Sequence, residues 1–114
     1  MSEESFCLEL STLIIEWLKF KVVAEQREQF VQQDNEIWTA ALAGYPGFLG
    51  KEVWISPDDL TQVITVVRWE SLEQWHSIPP EELAQVESRF AAAMGNVYEL
   101  IESAAFQQRK FMHP

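Results

Sequence analysis

Between residues 13 and 23 the chain runs Leu-Ile-Ile-Glu-Trp-Leu-Lys-Phe-Lys-Val-Val, and alternate positions separate into two sets. Ile14, Leu18, Phe20 and Val22 share one face with Glu16, while Leu13, Ile15 and Trp17 share the other with Lys19 and Lys21. A period of two with apolar residues on both sides predicts a strand that is at least partly covered on both faces. From 24 to 43 the period lengthens to that of a helix, with Val23, Phe30, Ile37, Trp38 and Ala41 on one stripe. Arg27 and Asp34 fall inside that stripe, two turns apart. Gly44, Pro46 and Gly47 then end the helix and turn the chain.

Residues 48–55 predict a second strand and 61–69 a third, in which Val63, Thr65 and Val67 alternate against Ile64 and Val66. Ser56-Pro57-Asp58-Asp59 between them has turn composition, so the two form a hairpin. Ser71 with Gln74 three residues on matches a capping box and starts a short helical turn through Trp75 and His76. Pro79-Pro80 interrupts it, and Pro80 suits the first position of a further helix, whose stripe is Leu83, Val86, Phe90, Ala93 and Met94. Beyond Asn96 the pattern weakens. Val97, Tyr98, Leu100 and Ile101 support a fourth strand, while residues 104–110 suit strand or helix equally.

The order β-α-β-β-α-β predicts an α+β, ferredoxin-like sandwich: one domain over residues 13–111, preceded by an acidic arm at 1–12. Two helices cover only one face of four strands. Strands apolar on both sides need cover for the other, and a second copy of the chain supplies it, so a homodimer forming an α+β barrel is expected.

Composition narrows the field. A chain of 114 residues fits one domain and buries enough surface for one real core. A formal charge of -10 repels phosphate backbones and anionic membranes, which argues against nucleic-acid and membrane roles. Cys7 is the only cysteine, so no internal disulfide forms and a cytoplasmic setting is expected. Residues 1–12 lack the basic start and apolar run of a signal peptide. One cysteine and two distant histidines make no zinc-type cluster, so no metal is expected, and no glycine-rich phosphate loop is present.

Some residues break the pattern and become candidates for chemistry. Asp34 in an apolar stripe costs several kcal/mol, of order, unless it is paired or hydrogen-bonded. Its structural reading is an anchor on Arg27, Arg68 or a tryptophan indole, and its functional reading is proton transfer. Glu16 poses the same question from the first strand. His76 is the one histidine away from the tail and a candidate base, although a lone histidine beside a helix end is commonly exposed and inert. Trp17, Trp54, Trp69 and Trp75 could frame a flat ligand. Trp69 and Trp75 fall where helix packs on sheet and suit the core, whereas Trp17 and Trp54 suit a barrel interior or dimer interface.

The segments Tyr45-Pro46-Gly47-Phe48-Leu49, Ser56-Pro57-Asp58-Asp59 and Val67-Arg68-Trp69-Glu70-Ser71, with Trp75 following, resemble the antibiotic biosynthesis monooxygenase-like group of dimeric α+β barrels. The span 14–94 is most similar to an uncharacterised family of small cyanobacterial proteins within that superfamily. Members include oxygenases, haem degraders and small-molecule binders. Haem-degrading relatives carry an asparagine in the first strand and a histidine inside the second helix. Here the strand position is Trp17 and residues 80–95 contain no histidine, so haem degradation is not expected. Cofactor-free quinol oxygenases combine tryptophan, asparagine and arginine, and Trp69 and Arg68 match two of the three. The resemblance thus implies a monooxygenase-like enzyme without a cofactor, acting on a small aromatic or lipophilic molecule, with Arg68 and Trp69 as ligand-binding residues; Trp17 and Trp54 join them as ligand-binding candidates from their strand positions. The alternative is a dimeric module that binds a small hydrophobic or aromatic ligand, or merely holds an assembly together, without catalysis.

Overall fold

The computed structural model of the protein describes residues 13–109, so the expected acidic arm, Cys7 and His113 lie outside the described residues. Strands β1 (Ile14–Val22), β2 (Phe48–Ile55), β3 (Gln62–Trp69) and β4 (Tyr98–Gln107) form one antiparallel sheet in the order β2-β3-β1-β4. Helix α1 (residues 24–42) links β1 to β2. Helices α2 (Leu72–His76) and α3 (Pro80–Met94) link β3 to β4. This is the ferredoxin-like α+β sandwich that the alternation predicts. Among the described residues, no helix is long and apolar enough to cross a membrane.

Pairing registers divide the sheet into two faces. Ile14 opposite Trp69, Glu16 opposite Val67, Leu18 opposite Thr65 and Phe20 opposite Val63 point toward the helices. On β2, Phe48, Lys51, Val53 and Ile55 sit opposite those same β3 residues and share that face. A bulge between Phe48 and Gly50 inserts the extra residue that brings Lys51 inward. The opposite face carries Ile15, Trp17, Val66, Ile64, Trp54 and Arg68.

Burial follows this division. One cluster packs Ile14, Leu42, Val67, Trp69 and Ile78 together, and a second packs Val22, Phe30, Val63, Phe90 and Met94. Trp38 packs against both. Each fully buried side chain of this size contributes roughly 1.5–3 kcal/mol of transfer free energy. Phe30 and Phe90 meet edge to face at 5.2 Å, and Tyr98 closes on both.

Three local expectations change. Helix α1 is not a regular α-helix: it opens with a 3₁₀ turn, Ala24–Gln26, and widens to a π-helix over Asp34–Thr39 before its last turn, Ala40–Leu42. A π turn adds a residue, so the 100° stripe read from the sequence breaks at Asp34. Val23 and Arg27 leave the core as a result of this entry geometry. Val23 is 47% exposed, and the Arg27 guanidinium donates to the carbonyls of Ser56 (2.9 Å) and Asp59 (3.1 Å) in the β2–β3 turn. Ala93, expected on the buried stripe of α3, is exposed, while Val86, Phe90 and Met94 are buried. Residues 104–107 resolve as strand, because pairing with β1 over its whole length supplies backbone hydrogen bonds that helix propensity cannot match.

The turn into β2 depends on Gly47, whose φ of 91° lies in the left-handed region. A Cβ there would stand 2.7 Å from Gln74 Cβ. Gln74 is itself fixed, its backbone N–H donating to Ser71 Oγ at 3.1 Å as the expected cap, while the Gly47 carbonyl accepts from Glu70 N–H at 2.8 Å. Gly47→Ala should therefore lower stability by about 1–3 kcal/mol, measured by urea denaturation. A loss below the error of the measurement would show that the turn adapts.

Candidate functional site

Between sheet and helices lies a cavity of about 690 Å³. Its walls are largely apolar and include Leu18, Phe20, Trp38, Leu42, Trp75, Ile78 and Leu83, with Glu16, Asp34, Lys51 and Thr65 among the polar groups. A concave, apolar site with a few convergent polar side chains is the usual form of a small-molecule pocket.

Helix α1 turns Asp34 inward at the start of its π-helical stretch, and β2 turns Lys51 inward at its bulge. They meet as a buried ion pair, with side chains 5% and 4% exposed. Lys51 Nζ donates to Asp34 Oδ1 at 2.8 Å and stands 2.7 Å from Oδ2, which accepts no hydrogen bond. Burial pushes the Asp34 carboxyl up from its ordinary range, and the Lys51 ammonium opposes that shift through its charge and its hydrogen bond. Glu16, on β1, accepts from the Trp69 indole N–H at 3.1 Å. Burial raises its pKa too, against the indole bond and the charge of Lys51. Two carboxyls and one ammonium thus share the polar end of an apolar cavity.

The structure brings together only part of the set expected from sequence. Glu16 and Asp34 both reach the cavity. Trp69 is fully buried, stacked edge to face on Phe48 at 5.8 Å, and holds Glu16 by its indole. Trp17, Trp54 and Arg68 lie on the opposite face of the sheet. There Arg68 pairs with Glu52 at 2.8 Å, and the Trp54 indole donates to Glu52 at 3.0 Å. His76 is exposed beside Trp75, ring centroids 5.0 Å apart, and does not line the cavity. Asp34 finds its partner in Lys51 rather than in Arg27, Arg68 or an indole. Among the described residues no group of three or more metal-ligating side chains is assembled.

Lys51, Trp38 and Thr65 are the site residues that sequence reasoning missed. Lys51 carried one signal, since it stands two residues before Val53 and four before Ile55 on a strand whose alternate positions face the core.

A four-stranded antiparallel sheet with helices on one face and a cavity between the layers defines the class: a ferredoxin-like α+β domain. The profile of the family described as antibiotic biosynthesis monooxygenase matches residues 14–77, more than half of the chain, and the chain belongs to that family. Among solved structures, a monooxygenase from the gene ActVA-Orf6 of Streptomyces coelicolor, in complex with the ligand nanaomycin D, is similar at 15% identity and a TM-score of 0.72, over 95% of this chain and 97% of that one. SnoaB, a cofactor-independent oxygenase from Streptomyces nogalater, is similar at 16% identity and a TM-score of 0.65, over 89% and 97%. A conserved protein from Methanosarcina mazei is similar at 11% identity and a TM-score of 0.64, over 89% and 97%. At these identities the likeness is one of fold. None of the curated proteins matches the chain.

Removing one partner of a buried ion pair strands the other. Asp34→Asn should cost about 3–5 kcal/mol in urea denaturation, and Asp34→Leu combined with Lys51→Met should recover most of that loss. An Asp34→Asn cost below about 1 kcal/mol would mean that the pair is not buried in solution. For Glu16, a raised folded-state pKa means that the native protein binds the proton more tightly than the unfolded chain. Its contribution is therefore fully present below the ordinary value of 4.5 and is lost as pH climbs through the raised one. Stability of Glu16→Gln relative to wild type should accordingly rise as pH climbs above the ordinary value of 4.5, and a flat difference would contradict the shift.

Proposed function

We propose that the protein is a monooxygenase-like enzyme that needs no cofactor and acts on a small aromatic or lipophilic molecule held between sheet and helices. The observation that carries this reading is the largely apolar cavity with Glu16, Asp34 and Lys51 at its polar end. Family membership and the likeness to an oxygenase described as cofactor-independent support it. In such a reaction the substrate supplies the electrons. One atom of O₂ enters the molecule and the other leaves as water with two hydrogens taken from the substrate. Glu16 exchanges a proton with the ligand, since it is the cavity acid whose one described bond is to a neutral donor.

The working unit is a homodimer formed through the outer sheet face. Trp54 on that face is 47% exposed and Phe106 on β4 is 56% exposed, in line with a surface that needs cover. Trp17, Trp54 and Arg68 then act at the subunit contact. A cytoplasmic setting suits the single cysteine.

The second reading is a non-catalytic binding module. It is favoured by one observation: Asp34 is tied up by Lys51 and Glu16 by Trp69, as in a structural network.

Oxygen uptake with a panel of flat hydroxylated aromatics separates the two readings. An enzyme using Glu16 should lose about 100-fold or more in kcat in Glu16→Gln while remaining folded. Unchanged turnover would remove Glu16 from the chemistry, and binding without oxygen uptake would favour the module. Sedimentation at micromolar concentration should give two chains per particle, and Trp17→Glu with Trp54→Glu should give one. A monomeric wild type would rule out the barrel.

A further inference from the structure

The charges around the cavity are unbalanced. Four carboxylates line it, from Glu16, Asp34, Glu87 and Glu99, against the single ammonium of Lys51, with no arginine or histidine among the lining residues. That ammonium is already committed, within 2.8 Å of both Asp34 oxygens. Glu87 accepts the Tyr98 hydroxyl at 2.6 Å, and Glu99 stands exposed on β4. Glu16 differs from the other three. It is half-buried at the polar end of an apolar space, takes a single bond from a neutral indole, and has no salt bridge among the described residues.

Burial of Glu16 outweighs the help of its one neutral donor and of the Lys51 charge nearby, so its carboxylate is short of countercharge where it stands. An anionic ligand would worsen this imbalance. It would meet surplus negative charge and could gain a cation only by breaking the Asp34–Lys51 pair. A neutral hydroxyl could donate to Glu16 but would leave the charge uncompensated. A protonated amine does both, giving a charge-assisted hydrogen bond and neutralising Glu16. Trp38 and Trp75 in the same wall offer aromatic faces, which attract cations as well as apolar rings.

We propose that the cavity selects organic cations, seating an apolar, ring-bearing body against Leu18, Trp38, Leu42 and Trp75 with an ammonium on Glu16. This rests on the reading of the cavity as the ligand site and names the substrate class for it. Glu16 is then the specificity-determining residue, and Lys51 positions Asp34 without contacting the cation.

Three probes of one shape test this: 9-(aminomethyl)anthracene, 9-anthracenemethanol and 9-anthracenecarboxylate, titrated at neutral pH and physiological ionic strength and followed by quenching of tryptophan fluorescence. The ammonium should bind at least about tenfold more tightly than the alcohol, and the carboxylate more weakly than either. Glu16→Gln keeps an acceptor for the Trp69 indole and should erase the difference between ammonium and alcohol. Glu73→Gln, an exposed position outside the cavity, should leave it intact and so controls for general attraction to an acidic surface. Equal binding of ammonium and alcohol, or tighter binding of the carboxylate, would overturn the cation preference with the cavity reading standing. Binding of none of the three would defeat the cavity reading and the preference together. The wild-type series decides the matter even if the Glu16 variant does not fold.

Discussion

The ion pair between Asp34 and Lys51 joins the two layers of this domain at the point where packing is least uniform. It ties the π-helical stretch of α1 to the bulged start of β2, across a space otherwise bounded by leucine, valine and tryptophan. Both side chains are almost fully buried, so each charge depends on the other. Ion pairs in such places are poor stabilisers, since a well-packed apolar pair of similar volume does as well or better. A charged pair kept where leucine and methionine would serve is therefore better understood through the cavity it borders. With Glu16 it gives a largely apolar cavity a charged end.

The sheet divides its work by face. Its inner face carries Glu16, Leu18, Lys51, Thr65 and Val67 toward the cavity, while its outer face carries Ile15, Trp17, Trp54 and Ile64 around an Arg68–Glu52 pair. Because successive side chains on a strand point opposite ways, neighbours in sequence serve different purposes. Trp69 anchors Glu16 from within the core, and Arg68 beside it faces the other way. A tryptophan-arginine dipeptide that suggests one ligand-contacting pair in the sequence is thus split across the sheet.

The chain belongs to its family by residues 14–77, and proteins only 11–16% identical to it keep the same frame over most of their length. Function must then come from the side chains that line the cavity. In this chain those are an acid held by an indole, an acid held by a lysine, and two tryptophans in the wall. The large excess of carboxylates over cations sets the electrostatic character of the cavity, independently of any likeness to relatives.

Much of the frame was legible along the chain. The alternation from Ile14 to Val22 set the two faces of β1, Ser71 and Gln74 announced the start of α2, and Tyr45-Pro46-Gly47 marked the turn into β2. These signals are local, because side-chain periodicity and backbone preference act over a few residues. Glu16 and Asp34 were also legible, as acids at positions that periodicity assigns to a core. Three features were not. Lysine belongs on surfaces by default, and only the bulge at Phe48–Gly50 and the nearness of Asp34, 17 residues earlier, make Lys51 a buried partner. The π-helical widening of α1 has no reliable sequence mark, and neither has the 3₁₀ entry that takes Arg27 out of the stripe it shares with Asp34 in the sequence. Residues 104–107 carry no strong preference of their own, so pairing with β1 decided for strand. Periodicity alone thus determined the elements, their order and which acids were out of place. Tertiary structure decided which charges meet and where the cavity opens, because those depend on contacts between segments far apart in the chain.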